Sequence, residues 1–181
     1  MSQEKKLASI LTETTLKLHE MGLNHGATGN CSCRDEETFL ITPSGVEIED
    51  LSAEKMVRMD FKGNVIDSKL NLNPSSEWRF HQDIFSHRKE ISAVIHTHSI
   101  YASTVSLFNK ELPPFHYMIA VAGGDSVRCA PYAMFGTQKL SDNIINALAG
   151  RKACLIANHG LVTIGESLEE ALQISEEIEH L

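Results

Sequence analysis

A layered α/β domain built on a largely antiparallel sheet is the fold this 181-residue sequence predicts. Strand-like and helix-like apolar patterns alternate along the whole chain, the mark of a layered α/β architecture. Several strand-like runs lie close enough together to be joined as hairpins, which favours antiparallel pairing. No G-x-G-x-x-G opens a helix after a strand, so a dinucleotide-binding parallel sheet is not expected. The length suits one sizeable domain and is short for two.

Each element has its own signal. "KKLASILTETTLKLHEMGL" carries Leu7, Ile10, Leu11, Leu16 and Leu18 at broadly helical spacing and is stopped by Gly22. "GATGNCSCR" turns through glycines into a short strand, and "TFLITPSGVEI" is a strand ending in a Pro-Ser-Gly turn. "KMVRMDFKGNVI" reads as a hairpin with its turn at Lys62–Asn64. "LNLNPSSEWRFHQDIFSHR" is a loop and then a helix, with start signals at Pro74 and the two serines and with Trp78, Ile84 and Phe85 as apolar anchors. "AVIHTHS" is a strand, followed by the short helix "IYASTVSLF". The apolar run "FHYMIAVAGG" reads as a strand, and "RCAPYAMFG" as a Cys/Pro/Gly-rich crossing. "TQKLSDNIINALAG" is an amphipathic helix with Gly150 at its end. "KACLIANHG" and "LVTIG" are the last two strands, and "SLEEALQISEEIEHL" opens a helix with a capping box of Ser167 and Glu170.

Composition narrows the function classes. Apolar residues make up 42% and charged residues 22%, as in a globular domain. A net charge of −8 without any Lys/Arg cluster argues against nucleic acid or an anionic membrane as partner. No stretch is apolar for long enough to span a bilayer, and "MSQEKKLASI" does not read as a signal peptide. Cys31, Cys33, Cys129 and Cys154 are too sparse for a disulfide scaffold and read as small buried hydrophobes in a reducing, cytoplasmic protein. An anionic substrate would then be held by backbone N–H groups, helix N-termini or a metal ion.

In "AVIHTHS", a buried strand runs out at His96 and His98, and the two-residue period of a strand points both side chains the same way. Alone, the pair reads more readily as two satisfied histidines on a strand end than as a metal site. "LIANHG" repeats the pattern: an apolar strand ends at His159 and a glycine turns the chain at once. Three neutral imidazoles with a fourth position open are what a catalytic zinc requires. Ser75, Ser76 and Glu77 stand at a helix start, where unpaired N–H groups and the dipole favour anions, although ordinary N-capping uses the same residues. The turns "GATGN", with Asn30, and "TPSG", with Ser44 and Gly45, are further anion cradles.

Taken together, "GLNHGATGN", "FLITPSGV", "SSEWRFH", "AVIHTHS", "LPPFHYMIAVAGGDSVRCAPYAMFGT" and "ANHGL" resemble the class II aldolase/adducin family, in family order from about residue 20 onward. The resemblance implies a three-layer α/β/α sandwich around a mostly antiparallel sheet, assembled as a homotetramer with active sites between subunits. It implies one Zn2+ per subunit on His96, His98, His159 and Glu77, with Mn2+ or Co2+ also acceptable to such imidazole sites. It makes Glu77 the catalytic carboxylate and places the substrate phosphate on Asn30, Ser44, Gly45, Ser75 and Ser76. Tyr117 corresponds to a tyrosine that reaches a neighbouring subunit's site and protonates the aldehyde oxygen; by itself it reads as a core aromatic.

The activity implied is reversible, metal-dependent cleavage of a phosphorylated ketose, L-fuculose 1-phosphate first among the candidates, to dihydroxyacetone phosphate and a small aldehyde such as L-lactaldehyde. Aldolases for related deoxyketose 1-phosphates and dehydratases of methylthioribulose 1-phosphate share a glutamate at the position of Glu77. Pentulose-5-phosphate epimerases of the family carry an aspartate there, and the non-catalytic adducin-like heads lack the three histidines. Residues 1–181 are thus expected to form one domain of this type, without the C-terminal tail by which the family's aldolases contribute a second tyrosine. His25 and the "NCSC" run are departures beside the phosphate turn for which the sequence supplies no role.

Overall fold

The computed structural model describes residues 3–181. A long helix, α1 (Gln3–Glu20), leads into a hairpin of β1 (Asn30–Asp35) and β2 (Thr38–Ile41). Two single 3-10 turns precede a second hairpin, β3 (Val57–Asp60) and β4 (Val65–Asp67), and then come α2 (Trp78–His87), β5 (Ala93–Thr97) and α3 (Ile100–Ser106). The C-terminal half adds β6 (Arg128–Ala130), α4 (Gln138–Ala147), β7 (Ala153–Ile156), β8 (Gly160–Gly165) and α5 (Leu168–His180). The strands form one eight-stranded sheet in the order β4-β3-β2-β1-β5-β8-β7-β6. Every neighbouring pair is antiparallel except β6 with β7.

Helices cover both faces, giving three layers. Val94 of β5 and Val162 and Ile164 of β8 pack with Phe80, Ile84 and Phe85 of α2 and Leu140 and Ile144 of α4. Ala93 and Ile95, pointing the other way, pack with Ala8, Leu11 and Leu18 of α1 and Ala171 of α5. Strand alternation therefore commits the odd and even residues of β5 to different layers. β5 is central, paired with β1 on one side and β8 on the other, and buried throughout. Half of the expected capping box is present: Ser167 Oγ accepts from the Glu170 N–H at 3.1 Å, while the Glu170 carboxylate accepts from the N–H of Glu166, one residue before the N-cap, at 2.7 Å. Cys31, Cys33 and Cys154 are buried and Cys129 half-buried, all free; burial pushes the Cys31 thiol up to about 12, so it carries no thiolate at neutral pH.

Two readings are corrected. The run at 115–124 is not a strand: Tyr117–Ala122 form a 3-10 helix, started by the His116 side chain accepting from the Met118 N–H and ended at Gly123 in the left-handed region. An apolar run this short does not distinguish strand from helix by periodicity. Its buried residues, Ile119 and Ala122, lie three apart, which is helical spacing. The following crossing is in part a strand, because Arg128–Ala130 pair along the edge of β7 before Pro131 ends the ladder.

Candidate metal centre and active site

Because Val94 faces α2, so do His96 and, one step beyond the strand, His98. The β1–β5 register sets Asn30 opposite His96 and Ser32 opposite Val94, so these two β1 residues share that face. His159 arrives from the β7–β8 hairpin, whose three-residue loop is closed by Asn158 in the left-handed conformation (φ 56°). The glycine after it is required by close approach: a Cβ on Gly160 would lie 2.3 Å from the Thr97 carbonyl oxygen. That contact lets the two histidine-bearing strand ends meet. Glu77 is the N-cap residue of α2, yet its side chain caps nothing; its backbone sits at φ −103°, ψ 12° and its carboxylate turns to the imidazoles.

The four side chains converge. The potential ligand atoms of Glu77, His96, His98 and His159 all lie within 4.8 Å of one another. His96 Nε2 is 2.9 Å from His98 Nε2 and 3.2 Å from Glu77 Oε2, while His159 Nε2 is 3.5 Å from Glu77 Oε1. Tetrahedral zinc with bonds of about 2.0–2.1 Å holds its donors about 3.3 Å apart, so these spacings fit a cation. The donors are also aimed. His96 Nδ1 donates to the Leu161 carbonyl at 2.9 Å, which leaves its Nε2 toward the cluster, and Glu77 Oε1 is buried without a hydrogen-bond partner. Orphaned acceptors beside imidazole lone pairs are what a cation would satisfy.

The protonation pattern agrees. Burial, then the neighbouring imidazoles, lowers His98 and His159 to about 4, so both are neutral donors near pH 7. Burial lowers His96 as well, but the Glu77 carboxylate outweighs it and raises that pKa. For Glu77, burial raises the pKa, and His96, His159 and the Asn30 amide together bring it down to about 2. His96 Nε2 and Glu77 Oε2 thus favour a proton between them, on the same lone pairs for which a cation would compete.

The candidate phosphate segments come together through the backbone. The Ser75 N–H donates to the Thr42 carbonyl and the Ser44 N–H to the Asn73 carbonyl, both at 3.0 Å, and Thr42 in turn bonds Cys31, next to Asn30. Ser44, Gly45 and Ser76 are exposed and Ser75 is buried, its Oγ accepting from the Glu77 N–H at 3.3 Å. Asn30 differs from the expectation of a plain phosphate ligand, since its amide is already engaged: Nδ2 donates to Glu77 Oε2 at 3.0 Å and Oδ1 lies 2.5 Å from His81 Nε2. Tyr117 is not among these residues. It is 80% exposed, its ring tilted against that of His116 in a surface hollow with Phe115 and Asp125. His25 is exposed.

Sequence reading missed two contributors. Asn24 is buried and its Oδ1 accepts from the His98 N–H at 2.9 Å, continuing the ladder where β1 has ended. A Cβ on Gly29 would strike that amide at 2.3 Å, so the glycine turn and the histidine strand are packed through it. His81 follows Glu77 by one helical turn, a spacing visible in "EWRFH" as two polar residues on one helix face.

An α/β/α sandwich that gathers three imidazoles and a carboxylate at its central strand ends has the architecture of a metal-dependent enzyme. The chain belongs to the class II aldolase/adducin family: the profile described as Class II Aldolase and Adducin N-terminal domain matches residues 9–181. It is 43% identical over 179 residues to L-fuculose phosphate aldolase of Escherichia coli (strain K12), spanning 99% of this chain and 82% of that protein. It is 40% identical over 171 residues to the 5-methylthioribulose-1-phosphate/5-deoxyribulose-1-phosphate aldolase of Rhodospirillum rubrum, spanning 94% and 76%. Among solved structures, an L-fuculose 1-phosphate aldolase matches with a TM-score of 0.93 at 38% identity, over 99% of this chain and 84% of that one. Among the described residues, no helix is long and apolar enough to cross a membrane.

Proposed function

We propose that the protein is a class II aldolase that reversibly cleaves a ketose 1-phosphate, L-fuculose 1-phosphate or a close deoxy relative, to dihydroxyacetone phosphate and a small aldehyde. The observation that carries this reading is the convergence of Glu77 with His96, His98 and His159, with one carboxylate oxygen buried and unpartnered. His96, His98 and His159 hold the divalent cation, zinc by preference, with Glu77 as a fourth donor. Bound there, the cation supplies Lewis-acid stabilisation of the negative charge that develops on the three-carbon fragment, worth several kcal/mol.

The chain's own residues do the rest. The hydroxyls of Ser44, Ser75 and Ser76 and the backbone N–H groups of Gly45 and Ser76, with the second N–H of Asn30, hold the phosphate and fix the three-carbon fragment. In cleavage, the bond between C3 and C4 breaks, the C4 hydroxyl loses its proton as the aldehyde forms, and the electron pair left on C3 delocalises into the C2 carbonyl. The C4 hydroxyl proton leaves to solvent, and Glu77, protonated in turn from solvent, delivers one to C3; in condensation Glu77 removes that proton. A carboxylate of ordinary pKa, about 4.3, is too weak a base for this unaided, and the charges of His96 and His159 hold Glu77 lower still; its burial would strengthen it only with those imidazole lone pairs taken up by a cation. Tyr117 of a neighbouring copy exchanges a proton with the aldehyde oxygen, so the working unit has its sites between subunits, and the family resemblance makes that unit a homotetramer in the cytoplasm.

The 40% identical relative supports one second reading, a 5-deoxyketose 1-phosphate as the preferred substrate. Release of dihydroxyacetone phosphate from L-fuculose 1-phosphate and from 5-deoxyribulose 1-phosphate, with and without a chelator, tests both. Chelator-sensitive release from either supports an aldolase, and the faster substrate names its preference. No release from the zinc-loaded protein would refute the reading.

A further inference from the structure

A line of buried polar atoms runs away from the catalytic carboxylate into the protein. Glu77 Oε2 accepts from Asn30 Nδ2 at 3.0 Å, Asn30 Oδ1 lies 2.5 Å from His81 Nε2, and His81 Nδ1 lies 2.6 Å from Ser32 Oγ. His81 and Ser32 are fully buried, and Asn30 and Glu77 nearly so. The line braces helix to strand twice over. Glu77 and His81 are one turn apart at the start of α2, and Asn30 and Ser32 are two apart on β1. The Phe80 ring stacks on the imidazole at 4.5 Å between centroids and holds its plane.

We propose that His81 is a positioning residue: it fixes the Asn30 amide so that the amide NH2, not its oxygen, faces the Glu77 carboxylate. This inference rests on the assignment of Glu77 as the proton carrier. Chemistry sets the direction of every link. A carboxylate can only accept, so Asn30 must present its NH2 to Glu77 and turn its Oδ1 to His81. An amide oxygen can only accept, so His81 must carry its proton on Nε2. Its Nδ1 then has only a lone pair, which the Ser32 hydroxyl fills by donating. With any other imidazole tautomer the Asn30 oxygen would meet a second lone pair, and rotation of the amide would bring it against Glu77. The line thus ties down Oε2 and leaves Oε1, the oxygen without a partner, turned to His159 and the reacting side. The Ser32 hydroxyl and the His81 imidazole, with no other place in the aldol chemistry, act through the Asn30 amide to decide which carboxylate oxygen is free.

Two substitutions separate positioning from packing. His81→Gln keeps a buried N–H able to reach Asn30 Oδ1, whereas His81→Leu keeps apolar volume and removes the donor. For the zinc-loaded protein with L-fuculose 1-phosphate, His81→Leu should lower kcat by about 10–100-fold, the usual range for a partner behind a ligand, with KM within about threefold. His81→Gln should stay within about fivefold of the wild-type kcat. Wild-type kcat in His81→Leu, or equal loss in both variants at equal urea stability, would overturn the proposal. A second readout does not depend on turnover: crystals of the metal-free variants should show the Asn30 Nδ2 to Glu77 Oε2 contact kept in His81→Gln and lost in His81→Leu. The contact surviving in both overturns the positioning role even if the wild-type protein cleaves no ketose phosphate, in which case the aldolase reading fails separately. If His81→Leu does not fold, Ser32→Ala serves in its place: by freeing the imidazole to change tautomer it should lower kcat, and an unchanged kcat counts against the line.

Discussion

The side-chain amide of Asn24 stands in for a strand at His98: its Oδ1 accepts from the His98 N–H at 2.9 Å, and its Nδ2 reaches toward the His96 carbonyl at 3.5 Å. β1 pairs with β5 only as far as Asn30 and His96, and Asn24 supplies the next rung from the preceding loop. Asn24→Ala leaves the His98 N–H unpaired, at a cost of about 1–3 kcal/mol. The variant should unfold at lower urea concentration and bind zinc about 10–100-fold more weakly in competition with a chromophoric chelator. Wild-type zinc affinity would show that the ligand needs no such support.

Gly160→Ala tests the meeting of the two strand ends. The new methyl would sit 2.3 Å from the Thr97 carbonyl oxygen, a backbone atom that cannot step aside without moving His98. We expect a loss of about 1–3 kcal/mol, as for other overpacked sites, together with weakened metal binding. Gly22→Ala is the control, since no atom lies within 4 Å of its Cβ position and only the strain of a positive φ applies. It should lose stability and keep its metal. A Gly160→Ala protein with normal zinc affinity would mean that His98 and His159 are placed by something else.

Glu77→Gln removes the proton carrier and retains three imidazoles. We expect kcat to fall by about a hundredfold or more, the range of general acid–base catalysis, with metal content measured by atomic absorption still near stoichiometric. Turnover near that of the wild type would transfer the proton step to another residue.

How much of this was readable beforehand depended on whether the signal was local. The histidine ends of "AVIHTHS" and "LIANHG" and the glutamate at a helix start are visible because strand period and helix-start chemistry act within a few residues. The N-cap at Ser167 belongs to the same class. Asn24 and Ser32 were not legible, since their partners His98 and His81 lie in distant segments and only the β1–β5 register and the docking of α2 bring them together. Asn30 fell between: its place in a glycine turn suggested an anion, while its second allegiance, to Glu77, required the fold. The 115–124 run was misread because an apolar stretch near the surface has no period to choose by. Its outer residues Phe115 and Tyr117 are exposed, which a core strand would not allow.

Acid should destabilise the metal-free protein in a defined window. His81 is fully buried, and burial, then the His96 charge, lowers its pKa to about 3 from an ordinary 6.5, with Glu77 opposing. Its folded pKa lies below its unfolded one, so between these values the unfolded chain binds the proton and the folded chain does not. Stability is therefore complete above pH 6.5 and declines as pH falls toward 3. His98 and His159, lowered to about 4, add to the same slope; the raised His96 acts only above pH 6.5, where it adds stability as pH falls, and leaves the slope below 6.5 unchanged. Urea midpoints at pH 6.5, 5.5 and 5 should fall in that order and flatten in His81→Gln; a midpoint unchanged from pH 6.5 to 5 would contradict the buried neutral imidazoles.

Tyr117 raises the question of which subunit completes the site. At 80% exposure, on a 3-10 helix with Phe115 also exposed two residues before it, its ring meets only the His116 ring among the described residues. Large exposed aromatics of this kind mark surfaces that bury against another molecule. If the tyrosine works in a neighbour's site, Tyr117→Phe should lower kcat while sedimentation shows the wild-type assembly. Mixed assemblies sharpen the test. A subunit carrying Glu77→Gln still owns Tyr117, and one carrying Tyr117→Phe still owns Glu77. When the two inactive variants are unfolded together and reassembled, an intact site forms wherever the good tyrosine of one meets the good glutamate of the other. Activity should then rise well above that of either variant alone. A tyrosine acting within its own subunit can produce no such rescue, because every site would lack one of the two groups, so mixtures no more active than their components would return Tyr117 to a packing role.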